Sequence, residues 1–565
     1  MSFDQTYIEI TNAIAARNFS GLSSIPIDKP VHFNWVTDIL EKYYLPLYGD
    51  KNALIWTDLK EEITYSYREL IQRSNQLLHF LQERGAQRGQ VVFVMLPVVP
   101  PNWLAYIACI KGGLVMVPAA TILGDKDIEY RFQSNWPSFI ISDMDNSDKI
   151  DSALSSFDRE RPVKILVDGQ REGWFSWKEV EAADIVCKSA ATRSDDVLFL
   201  FFTSGTTGMP KVVAHTHLSY PFGHLTTASW IGLQPGDLHY NISQPGWAKF
   251  AWSSFFAPLS MGATVFIYQQ AGRMDARLQL SVMEKYKVTS FCSPPTALRM
   301  LVLERLESFQ FSFRECVSAG EPLNPEVIEA WRKGTGIIIR DGYGQTETTL
   351  LAGNLPGSPV KFGSMGKATF LYEVDIVDDN GQPLPPDEEG HIAIKVDGNK
   401  PNGVFKEYDG SPGKKEALII NGYYFSGDKA FKDEDGFIWF VGRDDDVIKS
   451  SDYRIGPFEV ESVLLEHYAV IESAVVGSPH PIRGFVVKAF IVVSPEVAIT
   501  RELADDIFRF CRKNLSPYKI PRIIEFVKEL PKTISGKIRR MELRATEGMN
   551  KAKGIVGEAE FLFRS

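Results

Sequence analysis

Cysteine is scarce. There are five in 565 residues, at positions 109, 187, 292, 316 and 511, and no two have C-x-x-C spacing. That excludes a zinc knuckle and a disulfide framework, leaving buried free thiols of a reducing compartment as the expectation. A membrane-length apolar run is also lacking. The stretch that comes nearest, Met95–Ala120, is interrupted by Pro97, Pro100, Pro101, Lys111 and Pro118. A spanning helix needs about 20 predominantly apolar residues, so this stretch reads as a loop, a short helix and a buried strand. Positive charge is in deficit, with 61 Lys+Arg against 71 Asp+Glu and a net charge of −10. Such a chain is poorly suited to gripping a nucleic-acid backbone, although a local basic cluster could still hold an anionic cofactor. The opening MSFDQTYIEI has no basic segment before an apolar one, which argues against a leader. No internal repeat is visible. These absences predict a cytoplasmic protein with no nucleic-acid partner and no integral membrane contact.

What is present is ordinary globular composition, 44% hydrophobic and 23% charged, so disordered and fibrous classes are excluded. Short β-rich apolar runs recur over the first 340 residues, at Val91–Met95, Phe139–Ser142, Lys164–Val167, Val197–Phe202, Thr264–Tyr268 and Ile337–Arg340. Each fits a strand buried on both faces, and helical patterns such as Glu69–Arg84 lie between them. This alternation predicts an α/β body with two mostly parallel sheets. From about Gly366 the texture changes to short strands (Glu373–Val377, His391–Lys395, Phe437–Val441) separated by Asp-Asn-Gly, Pro-Pro-Asp and Asp-Gly turns. That predicts a small antiparallel sheet or barrel. The charged run Arg443-Asp444-Asp445-Asp446 then precedes a last α+β unit, with helices near Pro457–His467 and Arg501–Leu515 and strands near Val470–Gly477 and Phe485–Val493.

The chemistry concentrates first in VLFLFFTSGTTGMPK, residues 197–211. A buried strand feeds Thr203, Ser204, Gly205, Thr206, Thr207 and Gly208. Glycines let backbone approach an anion, four hydroxyls and the backbone N–H groups can donate to phosphate oxygens, and Lys211 adds charge. Only two residues separate Gly205 from Gly208, so this is not a Walker A loop.

TSGTTGMPK resembles the phosphate loop of the adenylate-forming superfamily, which includes acyl-CoA synthetases, firefly luciferase and nonribosomal-peptide adenylation domains. Other motifs follow in that superfamily's order. Asp341-Gly342-Tyr343-Gly344-Gln345-Thr346-Glu347 resembles its Y-G-x-T-E motif, and Ser426-Gly427-Asp428 its ribose-binding motif. Gly442-Arg443 with Asp445-Asp446 resembles the hinge, Tyr453–Glu461 the segment after it, and Pro531–Lys537 the catalytic-lysine loop. The strings Ala319–Asn324 and Gly246–Lys249 are similar to the medium-chain acyl-CoA synthetase branch. The resemblance spans roughly residues 50–545. It implies a body over 1–443 with a β-rich part at about 366–443, a hinge at 444–446 and a mobile C-terminal domain over 447–565.

The implied reaction joins a carboxylate to the α-phosphorus of ATP, releases pyrophosphate, and then passes the acyl group to CoA. Lys537 would bridge the acid and the α-phosphate. Glu347 would hold Mg²⁺ and Thr346 would contact the α-phosphate. Asp428 would accept the ribose hydroxyls, with Arg443 donating from the other side. Asp341, Gly342, Tyr343 and Gln345 are implied nucleotide contacts, as are Ser451, Tyr453 and Arg454 beyond the hinge. Asp445 is the implied pivot, and Arg483 and Arg512 are the implied CoA contacts. Acetyl-specific members carry Trp where Gly344 stands, so Gly344 implies an open acyl tunnel lined by Trp247, Gly320 and nearby Phe250. His215 and His217, two apart in a strand pattern, read as polar packing and not as metal ligands. Asp452 stands where the superfamily usually has a glycine lining the pantetheine path. Two further readings remain: transfer of the acyl group to a carrier protein or other acceptor, and a non-catalytic nucleotide-binding relative. The partners expected are a carboxylic acid, ATP and CoA, in a chain compatible with a homodimer.

Overall fold

A computed structural model describes residues 2–203, 210–396, 402–450, 453–481, 483–494, 496–533 and 537–563. Among these residues four sheets form. A nine-stranded sheet runs in the order Lys367–Ala368, Leu350–Gly353, Ile339–Gly344, Glu315–Ala319, Ser290–Ser293, Leu238–Asn241, Thr264–Tyr268, Asn52–Thr57, Glu62–Ser66. Its centre is parallel and its edges are antiparallel. An eight-stranded sheet contains Val91–Met95, Val115–Ala119, Phe139–Ser142, Val163–Leu166 and Val197–Thr203 in parallel, with Lys211–Thr216 returning antiparallel beside the last of these. The α/β body with two mostly parallel sheets is therefore observed.

The physical basis is burial on both faces. The helix Ser219–Ile231 is buried along its whole length, as a helix with no polar stripe must be. Tyr67–Glu83 is amphipathic instead. Its Ser66 cap accepts from the Glu69 N–H at 3.2 Å while the Glu69 carboxylate accepts from the Ser66 N–H at 2.8 Å, and Leu70, Ile71, Leu77, Leu78 and Leu81 face the core. Met95–Ala120 contains the helix Pro101–Gly112 and the buried strand Val115–Ala119. Among the described residues no helix is long and apolar enough to cross a membrane.

Residues 374–443 form a five-stranded antiparallel sheet whose strand order does not close on itself among the described residues. The last unit has its own six-stranded mixed sheet, from Ile448 to Leu562, over a separate core of Ile455, Val460, Leu464, Ile507, Phe508 and Ile524. The helix Pro457–Leu465 rests against the body: Asn324 Nδ2 donates to Ser462 Oγ at 3.0 Å, and Phe458 meets Phe440. Inside this unit Glu525, Glu547 and Glu560 have metal-ligand spacing, but the Lys488 ammonium already occupies the gap, 2.7, 2.6 and 2.6 Å from the three carboxylates. The four cysteines other than Cys187 are buried, and all five are free.

Candidate active site

The site is built at the carboxyl ends of parallel strands, where open α/β sheets leave a crevice. Glu315–Ala319 and Ile339–Gly344 run side by side with Ala319 opposite Gly342, so Gly320 and Tyr343 emerge together. Gly320 has φ +106°, and the space where a Cβ would stand is open. Gly342 has no such freedom, because a Cβ there would lie 2.6 Å from the Trp230 indole.

The third strand involved, Tyr423–Lys432, belongs to the five-stranded sheet and brings Asp428 opposite Arg443. Tyr343 Oη donates to Asp428 Oδ2 at 2.5 Å. Gln345 Nε2 donates to the same oxygen at 2.7 Å and to the Ser426 carbonyl at 3.0 Å. Two motifs are thus tied at one carboxylate across 85 and 83 positions of sequence. Burial raises the Asp428 carboxyl, opposed by the Tyr343 hydrogen bond and the Arg443 charge. The Lys537 charge also lowers it, so Lys537 stands within electrostatic reach of this carboxylate. Lys537 is exposed. Its loop is closed by bonds from the Lys537 N–H to Thr533 Oγ1 at 3.0 Å and from the Thr533 N–H to the Lys537 carbonyl at 2.6 Å.

Thr203 ends its strand opposite Lys211, which places both mouths of the phosphate loop together; Ser204–Gly208 lie outside the described residues. The Lys211 ammonium stands 5.1 Å over the Tyr408 ring. Burial lowers its pKa and the Glu347 charge raises it. Tyr408 Oη donates to Glu347 Oε1 at 3.0 Å, and no Lys or Arg salt bridge to Glu347 forms among the described residues. A carboxylate near a lysine, held by one hydroxyl, has the donor type and open valence that a hard divalent cation requires. The Thr346 carbonyl accepts from His215 Nε2 at 2.7 Å. Burial pushes His215 down to about 3 and His217 to about 4, so both rings are neutral packing groups.

Asp341 lies beneath this floor. Its carboxylate accepts from the N–H groups of Gly342 at 2.9 Å and Leu323 at 3.4 Å. Burial pushes it from the usual 3.8 to about 8 against those bonds and the Lys249 charge. The folded state therefore holds a proton that the unfolded chain loses near pH 4, so stability falls as pH rises between these values. Asp341→Asn should remove that dependence: its melting temperature relative to wild type should climb from pH 5 to pH 8. Parallel melting curves with the same pH trend would mean that Asp341 remains ionised.

Two sequence expectations need correction. Gly344 is partly exposed, but its side-chain direction is not open. A Cβ there would lie 2.2 Å from the Thr349 carbonyl oxygen and 2.7 Å from the Trp252 indole, whose Nε1 donates to Tyr220 Oη at 3.1 Å. Phe250 lines no tunnel either; it is fully buried against Trp103 and Tyr106. Trp247 is half-buried, precedes the helix Ala248–Ala251, and packs against the core of the eight-stranded sheet.

The remaining candidates lie on the C-terminal unit. Tyr453 is half exposed and stacks on Tyr518 at 4.3 Å. Arg454 has Asp379 and Glu389 as electrostatic neighbours, not the Asp428 group. Burial lowers the pKa of Arg522, and the charge of nearby Arg483 adds to that; exposed Arg512 lies in the last turn of Arg501–Asn514. Asp445 lies 3.4 Å from Arg443 Nε. Ser451 and Asp452 lie outside the described residues.

Sequence reasoning assigned no role to Lys249 or Tyr408. Lys249 Nζ donates to the Ala319 carbonyl at 2.8 Å. Its pKa is lowered by burial, and Cys292, Glu321 and Asp341 oppose that. The available signal was a single lysine in AKFAWSSFF, which carries no other charge.

The pattern of AMP-binding enzymes matches residues 46–408, and that of the AMP-binding enzyme C-terminal domain matches 459–537. The chain belongs to the AMP-binding enzyme family, the adenylate-forming superfamily that contains the acyl-CoA synthetases. It is 50% identical over 535 residues to 4-hydroxybutyrate–CoA ligase 1 of Metallosphaera sedula, covering 94% of this chain and 93% of that protein. It is 43% identical over 546 residues to the human mitochondrial acyl-coenzyme A synthetase ACSM3, covering 94% and 93%. Among solved structures it is similar to the anthranilate CoA ligase AuaEII in complex with anthranoyl-AMP. There the TM-score is 0.85 at 30% identity, covering 94% of this chain and 99% of that one. It is also similar to an acyl-CoA synthetase of Brucella canis, with a TM-score of 0.70 at 32% identity, covering 96% and 99%.

Proposed function

We propose that the protein activates a medium-length or branched carboxylic acid with ATP and transfers the acyl group to CoA. The enzyme is an AMP-forming acyl-CoA synthetase, working through an acyl-adenylate. The observation that carries the residue-level reading is the convergence of Lys537, Asp428, Lys211 and Glu347 from four separate chain segments on one crevice.

In this reading Thr203–Gly208 and Lys211 hold the phosphates. Asp428 accepts from the ribose through Oδ1, since Tyr343 and Gln345 occupy Oδ2, and Arg443 donates from the opposite strand. The Thr346 hydroxyl contacts the α-phosphate. Lys537 donates to the acid's oxygen and to the α-phosphate, lowering the repulsion of two anions as the bond forms. Glu347 is the residue that would hold Mg²⁺, and that ion when bound offsets charge on the departing pyrophosphate. Residues 444–446 then pivot at Asp445, turning residues 447–565 so that Arg483 and Arg512 meet CoA phosphates. Gly320 opens toward the acid, and Trp247 lines the acyl site in this reading. The enzyme works in the cytoplasm, and its assembly as a homodimer is checked by light scattering.

The test is pyrophosphate release over straight, branched, aromatic and hydroxy acids, with and without CoA. Each CH₂ buried in the acyl site should add about 0.8 kcal/mol, roughly fourfold in affinity, up to the pocket's length. Acyl-CoA and AMP should appear only with CoA. Absence of acid-dependent pyrophosphate release would overturn the proposal. Release that needs a carrier protein in place of CoA would move the acceptor to that class.

A further inference from the structure

Tyr408, whose hydroxyl holds Glu347, also carries two ammoniums. It lies on the short strand Glu407–Tyr408, antiparallel to Lys211–Thr216, with Tyr408 opposite Val213. The Lys211 ammonium stands 5.1 Å from the centre of its ring, and the Lys414 ammonium 5.6 Å. The turn that brings Lys414 back is pinned at several points. The Asp409 N–H donates to the Val212 carbonyl at 2.8 Å, and the Asp409 carboxylate accepts from Asn135 Nδ2 at 2.9 Å. The Ser411 N–H donates to the Tyr408 carbonyl at 3.0 Å, and the Lys414 N–H to the Ser411 carbonyl at 3.3 Å. The next lysine is engaged elsewhere: Lys415 Nζ donates to the carbonyls of Phe405 at 2.6 Å and Lys406 at 3.1 Å. Among the described residues, neither Lys211 nor Lys414 has a carboxylate partner.

We propose that Lys414 joins Lys211 in holding the pyrophosphate portion of ATP. The inference rests on the ligase reading above, which makes ATP the ligand. Two like charges drawn to one ring repel each other. Burial lowers the Lys211 pKa, the Glu347 charge opposes this, and the Lys414 and Arg443 charges add to it. Attraction to the Tyr408 ring offsets part of the repulsion, and an anion held by both ammoniums turns it into attraction. Pyrophosphate meets that demand, because it carries several negative charges and spreads acceptor oxygens over two phosphorus atoms. AMP does not: its one phosphate is the α-phosphate, which Lys537 and Thr346 contact in the ligase reading. Lys414 therefore distinguishes the two nucleotides.

Full-length wild type, Lys414→Met and Lys414→Arg are titrated by calorimetry with magnesium ATP and with AMP. Methionine keeps an aliphatic stem beside Tyr408 and removes the charge; arginine keeps the charge. Lys414→Met should bind ATP about fivefold more weakly, the upper end for an exposed ion pair, and should bind AMP as wild type does. Lys414→Arg should stay near wild type. Added salt should weaken ATP binding less in Lys414→Met than in wild type, because one screened contact is already gone. CoA also carries phosphates, so its KM is measured in thioester formation from synthetic butyryl-adenylate, where it should not change. Melting curves identify a variant that fails to fold, and Lys414→Gln then takes the place of Lys414→Met. Equal ATP affinity in wild type and Lys414→Met, equal loss toward ATP and AMP, or a raised KM for CoA alone overturns the contact. A wild type that binds neither nucleotide and releases no pyrophosphate with any acid overturns the ligase reading and the contact with it, whereas an active wild type beside an unselective Lys414→Met overturns the contact alone.

Discussion

Lys537→Ala is expected to cut acyl-adenylate formation by about 10²–10³, the usual cost of removing one preorganised donor from a transition state that gains charge. Thioester formation from supplied acyl-adenylate should stay near the wild-type rate. The asymmetry follows from position. Lys537 acts electrostatically on Asp428 and Lys249, beside the floor where the Asp428 carboxylate, the proposed ribose acceptor, is tied to Tyr343 and Gln345. Once the acid is already an adenylate, no anionic carboxylate remains for the lysine to neutralise. Lys537 is exposed, so the melting temperature should hardly change. The two half-reactions are measured separately, by pyrophosphate exchange and by thioester appearance. Equal losses in both would show that one face of the C-terminal unit serves both steps.

Gly344→Trp is expected to lower stability, not to retune chain length. The resemblance implied a tunnel that an indole would close, leaving acetate as substrate. In the folded chain the direction of a side chain at 344 is already filled, by the Thr349 carbonyl oxygen at 2.2 Å and the Trp252 indole at 2.7 Å. Overpacking a tight core costs about 1–3 kcal/mol or more, and here the nearest atom is backbone, which cannot swing aside. Melting temperature and activity on every acid, acetate included, should fall together. Gly344→Ala should already show part of the loss. Combining it with Trp252→Phe should restore little, because the shorter clash remains. If Gly344→Trp melts like wild type and prefers acetate, the tunnel passes this glycine after all.

The two cases show where sequence reasoning was strong and where it ended. The strands at 91–95, 139–142 and 264–268 and the helices at 457–465 and 501–514 follow from apolar periodicity, because each is buried in a way that its local pattern records. The family was legible too. Phosphate, ribose and acid chemistry need particular side chains on short contiguous segments, and TSGTTGMPK, DGYGQTE, SGD and the lysine loop keep them contiguous.

Three features depended on residues far apart in the chain. Asp428 receives Tyr343 and Gln345 on one oxygen across 85 and 83 positions, and nothing local to SGD announces those partners. Asp341 is pushed to about 8 only because the folded body buries it over the Trp230 helix. Gly344 appeared to offer space because a glycine lacks a side chain, but free space depends on what stands opposite, here Trp252, 92 positions earlier. The sequence by itself determined the secondary elements, the order of the motifs and the class of chemistry, all properties of short segments. Which carboxylates are paired, which are driven neutral, and whether a glycine faces room or an indole were decided by the tertiary structure, because desolvation and steric overlap exist only once distant segments are packed together.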